Sequence, residues 1–483
     1  MNVDADYTLT IDGAAASAPG VLEVVNPATG EAFAQAPDAG AAELDRAVAA
    51  ARKAFPGWRD TPIAERQALV KALGARIAEN KDALMRLLTR EQGKPHADAA
   101  GDVLGGAHWC KVYGEMDVPT TVVEDSDKRR LEVRRIPVGV VGALAPWNFP
   151  VFLAMLKVAP ALVAGATVVL KPSPFTPLTT LKIGELARDI FPPGVFNVIS
   201  GGDALGPLMT AHPDIDKISF TGSTATGRKV MQSASDTLKR VTLELGGNDA
   251  AIVMPDVDVE AVAQQIFAAA FGNSGQICIA VKRLYVHKDI YDRFSQALVD
   301  LARAAKVGDG AEQGTRFGPI QNKLQYARVK ELIEDAHAAG YRFLIGGDTM
   351  DRPGYFLPLS LVDNPPDDAR IVREEQFGPV LPILKFDDVD DVVRRANDSP
   401  YGLGGQVWSA DEDKALEIGS RLETGNVWIN QTQEIFAGAP FGGHKTSGVG
   451  SESALDGLLA YTNAQTVAVR KRREPRPQPK AVA

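Results

Sequence analysis

Apolar residues recur at helical spacing through 41–55 and 63–90, with acidic and basic residues between them, and this predicts a helical N-terminal region. From Pro137 the texture changes to short β-branched runs at 138–141, 167–170, 195–199 and 217–220. Segments of helical period separate them at 153–163, 178–190 and 205–211. Strands alternating with helices predict βαβ units on a parallel sheet. A second alternation follows Gly247: a strand at 250–254, a helix at 259–271, a strand at 283–287, then helices at 290–305 and 322–339. The pattern predicts an α/β protein with two α/β domains in series. Residues 128–136 and 466–470 are charged, strand-like and outside this rhythm, and they read as edge strands that pair with something else. The tail from Arg470, with Pro475, Pro477 and Pro479 among basic residues, reads as extended or disordered.

Composition narrows the function classes. A chain of 483 residues exceeds a single core and suggests about three domains. The net charge of -9 argues against nucleic acid or an anionic membrane as the partner. The first twelve residues carry Asp4, Asp6 and Asp12 without an apolar run, so they do not read as a secretory signal. The longest apolar stretches, 138–146 and 159–170, are too short to span a bilayer. Two cysteines, Cys110 and Cys278, exclude a disulfide framework and fit a reducing cytoplasm. Six scattered histidines, with no HExxH or CxxC, give no support to a metal site.

Within this frame a few residues carry chemistry. Cys278 sits in Asn273-Ser274-Gly275-Gln276-Ile277-Cys278, a small-residue turn after a helix. A lone cysteine is usually buried and structural, but the glycine and polar neighbours favour an accessible loop. Cys110 lacks that context and reads as structural. Glu244 lies between Leu243 and Leu245 at a strand end, where a carboxylate costs desolvation. It is either a surface residue on an edge strand or a base of raised pKa suited to activating water. Asn148, in the loop after the first strand, forms an Asx-turn or donates to an oxyanion. The Phe220–Gly227 segment follows a strand and opens a helix, so Gly222 and Ser223 could cradle a phosphate. Lys171 ends a strand that faces the same crevice, although alone it reads as an exposed lysine.

Together these motifs resemble the aldehyde dehydrogenase superfamily. Residues 146–150, 171–173, 220–227 and 244–247, Gly275-Gln276-x-Cys278, 374–379 and 440–448 follow its order and spacing, from Asn26-Pro27-Ala28-Thr29-Gly30 to the last strand. The resemblance implies a Rossmann-like cofactor domain from 1–119 and 138–246. It further implies an α/β catalytic domain over 247–445, and a small β oligomerisation element with tail from 120–137 and 460–483. Cys278 would be the nucleophile and Glu244 the general base, with Asn148 and the Cys278 N–H as oxyanion donors. Lys157 would be a polar neighbour, and Glu452 lies where some members have a second carboxylate. Trp147, Lys171, Gly222, Ser223, Leu245, Glu375 and Phe377 would contact NAD, with NADP possible, and the protein would be a homodimer or homotetramer. Pro174 departs from the Glu that many NAD-preferring members have three residues after the lysine. Alternatives to a hydrolytic enzyme are a CoA-acylating semialdehyde dehydrogenase, which generally lacks the glutamate base, and a non-enzymatic binding protein on the same scaffold. Phe149, Phe152, Leu153, Leu156, Ile277, Ile279 and 431–441 would line a largely apolar tunnel, suiting a medium-chain or aromatic aldehyde.

Overall fold

The computed structural model describes residues 6–471. The proline-rich tail read as extended therefore lies, from 472 onward, outside the described residues. The first sheet has eight strands in the order Ala14–Ala16, Leu9–Ile11, Phe196–Val198, Thr167–Lys171, Val140–Leu144, Lys217–Thr221, Arg240–Glu244 and Gly448–Val449. The five from Phe196–Val198 to Arg240–Glu244 are parallel, and the outer ones are antiparallel. From Val140–Leu144 the chain steps outward twice on one side, then returns to the other side. That reversal opens a crevice at the carboxyl ends of the strands, the usual place for a ligand in such a sheet. The helix Pro150–Ala164 beneath it is apolar almost all round, begins on Pro150 and stops at Gly165, φ 94°.

The second sheet runs Phe343–Ile345, Ser360–Asp363, Val380–Phe386, Val281–His287, Asp249–Val253, Gly404–Trp408 and Asn426–Ile429. All its pairings are parallel except the first. The helix Val259–Phe271 covers it.

Three expectations need correction. The segment 128–136 is not an edge: Arg129–Pro137 is the middle of a three-stranded antiparallel sheet between Thr462–Arg470 and Thr121–Asp125. Its alternating charges are matched by neighbours, with Glu132 held between Arg130 and Arg134. The helical stretch 63–90 is two helices, Ile63–Glu79 and Lys81–Gln92. Asn80 breaks it by donating its side-chain amide to the Arg76 carbonyl at 2.8 Å, which competes with the helix ladder. The strand read at 138–141 is Val140–Leu144, because Gly139 turns at φ 124° and Asp216 takes the Val140 N–H at 2.7 Å. Among the described residues no helix is long and apolar enough to cross a membrane.

Candidate active site

The turn before Cys278 is strained. Asn273, Ser274 and Gly275 take φ of 48°, 57° and 75° in succession, and each non-glycine in that region costs on the order of 1–3 kcal/mol unless its surroundings hold it. They do hold it. Gln92 donates to the Asn273 side chain at 3.2 Å, Ser274 to the Gly318 carbonyl at 2.8 Å, and the Gln276 side chain to the Asn273 carbonyl at 2.9 Å. A Cβ at Gly275 would lie 2.2 Å from the Gly378 carbonyl, so only glycine fits there. The turn delivers Cys278, half-buried, against Ile277, Ile279, Leu403, Trp428, Ile435 and Phe441. Burial pushes its thiol up to about 12, with Glu244 adding to the rise and Lys282 opposing it. Cys110 is fully buried in the first core.

Glu244 is 4% exposed at the end of an interior strand, which removes the surface reading. Its Oε1 is buried with no hydrogen-bond partner among the described residues, and its pKa stands well above the ordinary carboxylate range through burial first and Glu452 second. Asn148 is also buried and donates its side-chain amide to the Gln276 carbonyl at 3.0 Å, beside Cys278. Its own carbonyl takes Lys94 Nζ at 2.7 Å and the Asn273 amide at 3.2 Å. Lys94 is paired with Asp102 at 2.9 Å, both side chains fully buried, so the loop carrying Asn148 is tied to the turn carrying Cys278. Lys157, on the buried helix, forms an ion pair with Glu452 behind Glu244.

The remaining candidates lie along the crevice. Lys171, read alone as exposed, is 6% exposed; burial lowers it to about 8 while Asp203 and Asp38 hold it up. Asp38 is fixed there by accepting the Gly202 N–H at 2.9 Å. Ser223 caps the helix Thr224–Ser235 by accepting the Thr226 N–H at 3.2 Å, and no acidic residue occupies that helix's first turn. Leu245 is buried against Gly227, and its N–H bonds the Ser447 carbonyl at 2.9 Å. Glu375 reaches over the Gly246-Gly247 turn and accepts the Gly247 N–H at 3.0 Å; a Cβ on Gly246 would meet its carboxylate at 2.3 Å. Trp147 and Phe377 meet edge-to-face at 5.3 Å. A glycine-opened crevice with a cationic lysine, an acid-free helix N-terminus and a carboxylate has the chemistry that a dinucleotide needs.

Of the tunnel residues, Leu156 is 1% exposed and packs in the core; Phe149 and Phe152 remain partly buried and lie 6.5 Å apart. Besides Lys94 and Asp102, two charged residues that act on Cys278 carry no motif in the sequence. Lys282 and Asp249 are both buried, and both act electrostatically on Cys278. The only sequence signal was a lysine four positions after the cysteine and an aspartate after Gly247-Asn248.

Residues 14–467 match the aldehyde dehydrogenase family. The chain belongs to that family. It is 42% identical to a "Probable aldehyde dehydrogenase" of Pseudomonas sp., over 98% of this chain and 96% of the relative. It is 39% identical to the NADP-dependent succinate-semialdehyde dehydrogenase GabD of Escherichia coli, over 91% and 92%. The NAD complex of the aldehyde dehydrogenase from Bacillus cereus superposes with a TM-score of 0.95 at 36% identity, covering 97% of this chain and 98% of the other. The protein is an oxidoreductase that oxidises aldehydes with NAD or NADP.

Proposed function

We propose that the protein is a hydrolytic aldehyde dehydrogenase whose nucleophile is Cys278 and whose water-activating base is Glu244. The observation that carries this reading is the buried Glu244 carboxyl, electrostatically coupled to Cys278, with an acceptor oxygen the protein leaves unspent. Cys278 passes its proton to water, directly or by way of Glu244, and attacks the aldehyde as thiolate, giving a thiohemiacetal whose oxygen takes hydrogen bonds from the Asn148 amide and the Cys278 N–H. A nicotinamide cofactor held by Trp147, Lys171, Ser223, Glu375 and Phe377 would supply the hydride acceptor, and loss of hydride from that carbon would leave a thioester on Cys278. Glu244 then takes a proton from water as it adds to the thioester, and the carboxylic acid departs as the thiol is restored. Lys157 favours the ionised form of Glu244, while Glu452 opposes it. A CoA-acylating enzyme has no use for this base. Cofactor reduction across a panel of aldehydes, with and without coenzyme A, tests the reading; dependence on coenzyme A refutes it.

On this reading residues 1–119 and 138–246 bind the cofactor through Trp147, Lys171, Gly222, Ser223, Leu245, Glu375 and Phe377. Residues 247–445 supply the catalytic cysteine. The apolar surround of Cys278, formed by Ile277, Ile279, Trp428 and Phe441, suits a medium-chain or aromatic aldehyde, with no cation among these four residues to grip an acidic tail. Two unpaired thiols suit a reducing compartment such as the cytoplasm.

The small sheet is proposed to join subunits, through the element expected at 120–137 and 460–483, of which the residues from 472 onward lie outside the described ones. Val122, Val123 and Val469 are exposed on it, at 46%, 59% and 52%, and among the described residues its outer strands have unpaired edges. Light scattering at micromolar concentration is expected to give a dimer or tetramer, and a monomer contradicts this.

Cofactor choice follows from Pro174. A proline neither accepts from ribose hydroxyls nor repels a 2′-phosphate, while the Lys171 ammonium donates to either. Asp38 and Asp203 supply part of the missing negative charge, weakened by the exposure of Asp203. NAD and NADP are expected to differ in kcat/KM by less than about two orders of magnitude, or roughly 3 kcal/mol. Pro174→Glu should move the ratio toward NAD, mainly by weakening NADP. Strict NAD selectivity in the wild type places the discrimination elsewhere.

A further inference from the structure

Lys282 stands at the second position of the strand Val281–His287, with its side chain 3% exposed. A buried ammonium needs partners, and this one takes an unusual set. Its Nζ donates to the carbonyls of Ile277 at 2.8 Å, Cys278 at 2.7 Å and Ala280 at 3.4 Å, three oxygens of a single turn. It also lies 3.7 Å from Oε1 of Glu375, the same oxygen that accepts the Gly247 N–H. The second carboxylate facing it is Asp249, which is 4% exposed. Burial raises Asp249 to about 7, and Lys282 pulls it back.

The bond to Ile277 has a directional consequence. The peptide joining Ile277 to Cys278 is planar and trans, so its C=O and N–H point to opposite sides. Holding the carbonyl therefore fixes the Cys278 N–H, and it aims that N–H away from the lysine. A cation on the carbonyl end also polarises the N–H into a stronger donor. The Cys278 N–H has no acceptor among the described residues. We propose that Lys282 is a positioning residue for the reaction at Cys278: it orients and polarises the Cys278 N–H as an oxyanion donor, and its charge steadies the thiolate. Asp249 and Glu375 are its counter-charges, so the carboxylate on the cofactor side and the nucleophile share one cation. This rests on the reading of Cys278 as the nucleophile. The charged and titratable groups acting on Cys278 are Glu244, Lys282, Asp249 and Glu375, with the Lys157–Glu452 pair behind Glu244.

The test compares the wild type with Lys282→Met and Lys282→Arg. One readout is single-turnover formation of reduced cofactor, and the other is the pH profile of Cys278 alkylation by iodoacetamide, followed by peptide mass. Lys282→Met is expected to slow the single turnover by about 10²-fold, the scale of a compromised oxyanion donor. Its alkylation profile is expected to move up by about one pH unit, from loss of a nearby cation. Lys282→Arg keeps the charge and should recover the alkylation profile. Lys282→Met/Asp249→Asn removes both charges together, and it carries the single-turnover readout should the single variant not fold; its alkylation profile is expected to stay close to the wild type, because losing Asp249 offsets losing Lys282. A wild-type single turnover with an unshifted profile in Lys282→Met, or a wild-type single turnover in the double variant, overturns the proposal, as does an Arg variant as impaired as Met in both readouts. Cys278→Ala separates the two failures. If it still reduces cofactor, the nucleophile assignment has failed; if it is silent while Lys282→Met is normal, only the role of Lys282 has.

Discussion

Cys278→Ala is expected to lose dehydrogenase activity by on the order of 10⁴-fold or more, the scale seen when a covalent nucleophile is removed. Without the sulfur neither thiohemiacetal nor thioester forms, and no other nucleophile has been delivered by the strained turn. The cost in stability should be small, because the side chain is only half-buried. Cofactor titration should give the wild-type dissociation constant, since the crevice residues Lys171, Ser223 and Glu375 are untouched. Cys110→Ala is the control. It deletes a fully buried sulfur, so it should cost about 1 kcal/mol of stability and leave turnover intact. Steady-state assays on both variants decide the matter: an active Cys278→Ala would show that the nucleophile lies elsewhere, and a folded Cys110→Ala as dead as it would point to Cys110.

The sequence carried the parts of this site that are local. Cys278 was readable because glycine and polar residues surround it in the chain, and that same composition is what allows three consecutive left-handed residues. Glu244 stands out in the sequence because a carboxylate between two leucines at a strand end lies in an apolar setting that costs it desolvation. The parallel sheets followed from periodicity, and the helix at 259–271 matched to the residue. What was not legible depends on pairing between distant segments. Asp249 and Lys282 are opposed because their strands are neighbours in the second sheet, with Asp249 registered against Val281. Lys94 and Asp102 look like ordinary surface charges until the helix Pro150–Ala164 packs over them and Lys94 finds the Asn148 carbonyl. The same blindness explains the 128–136 segment, whose partner strand begins 325 positions further on (137 to 462). Burial of charge is a tertiary property, and hydropathy patterning assigns such residues to the surface by default.

Glu244→Gln is expected to separate the two halves of the reaction. The substitution preserves shape and removes the base, so hydride transfer should survive while thioester hydrolysis slows by about 10²–10⁴-fold. Stopped flow should then show a burst of reduced cofactor followed by slow turnover, with an acyl adduct on Cys278 visible by intact mass. The pH dependence gives an independent check. Burial, reinforced by Glu452, holds the Glu244 carboxyl above its ordinary range. Its ionised, base-competent fraction therefore grows as pH rises toward that raised value, and wild-type deacylation should climb over the same window. The glutamine variant has no such limb and should be flat. Stability carries the opposite sign. A carboxyl whose value rises on folding destabilises the folded state only once it must ionise, so the penalty is absent below the ordinary glutamate range and grows as pH approaches the folded value. The variant lacks that penalty, and its melting temperature should gain on the wild type progressively from acid to alkaline buffer. If the burst disappears along with the steady state, Glu244 serves mainly to take the proton from Cys278, and the base for hydrolysis has to be sought elsewhere in the buried set around Lys157 and Glu452.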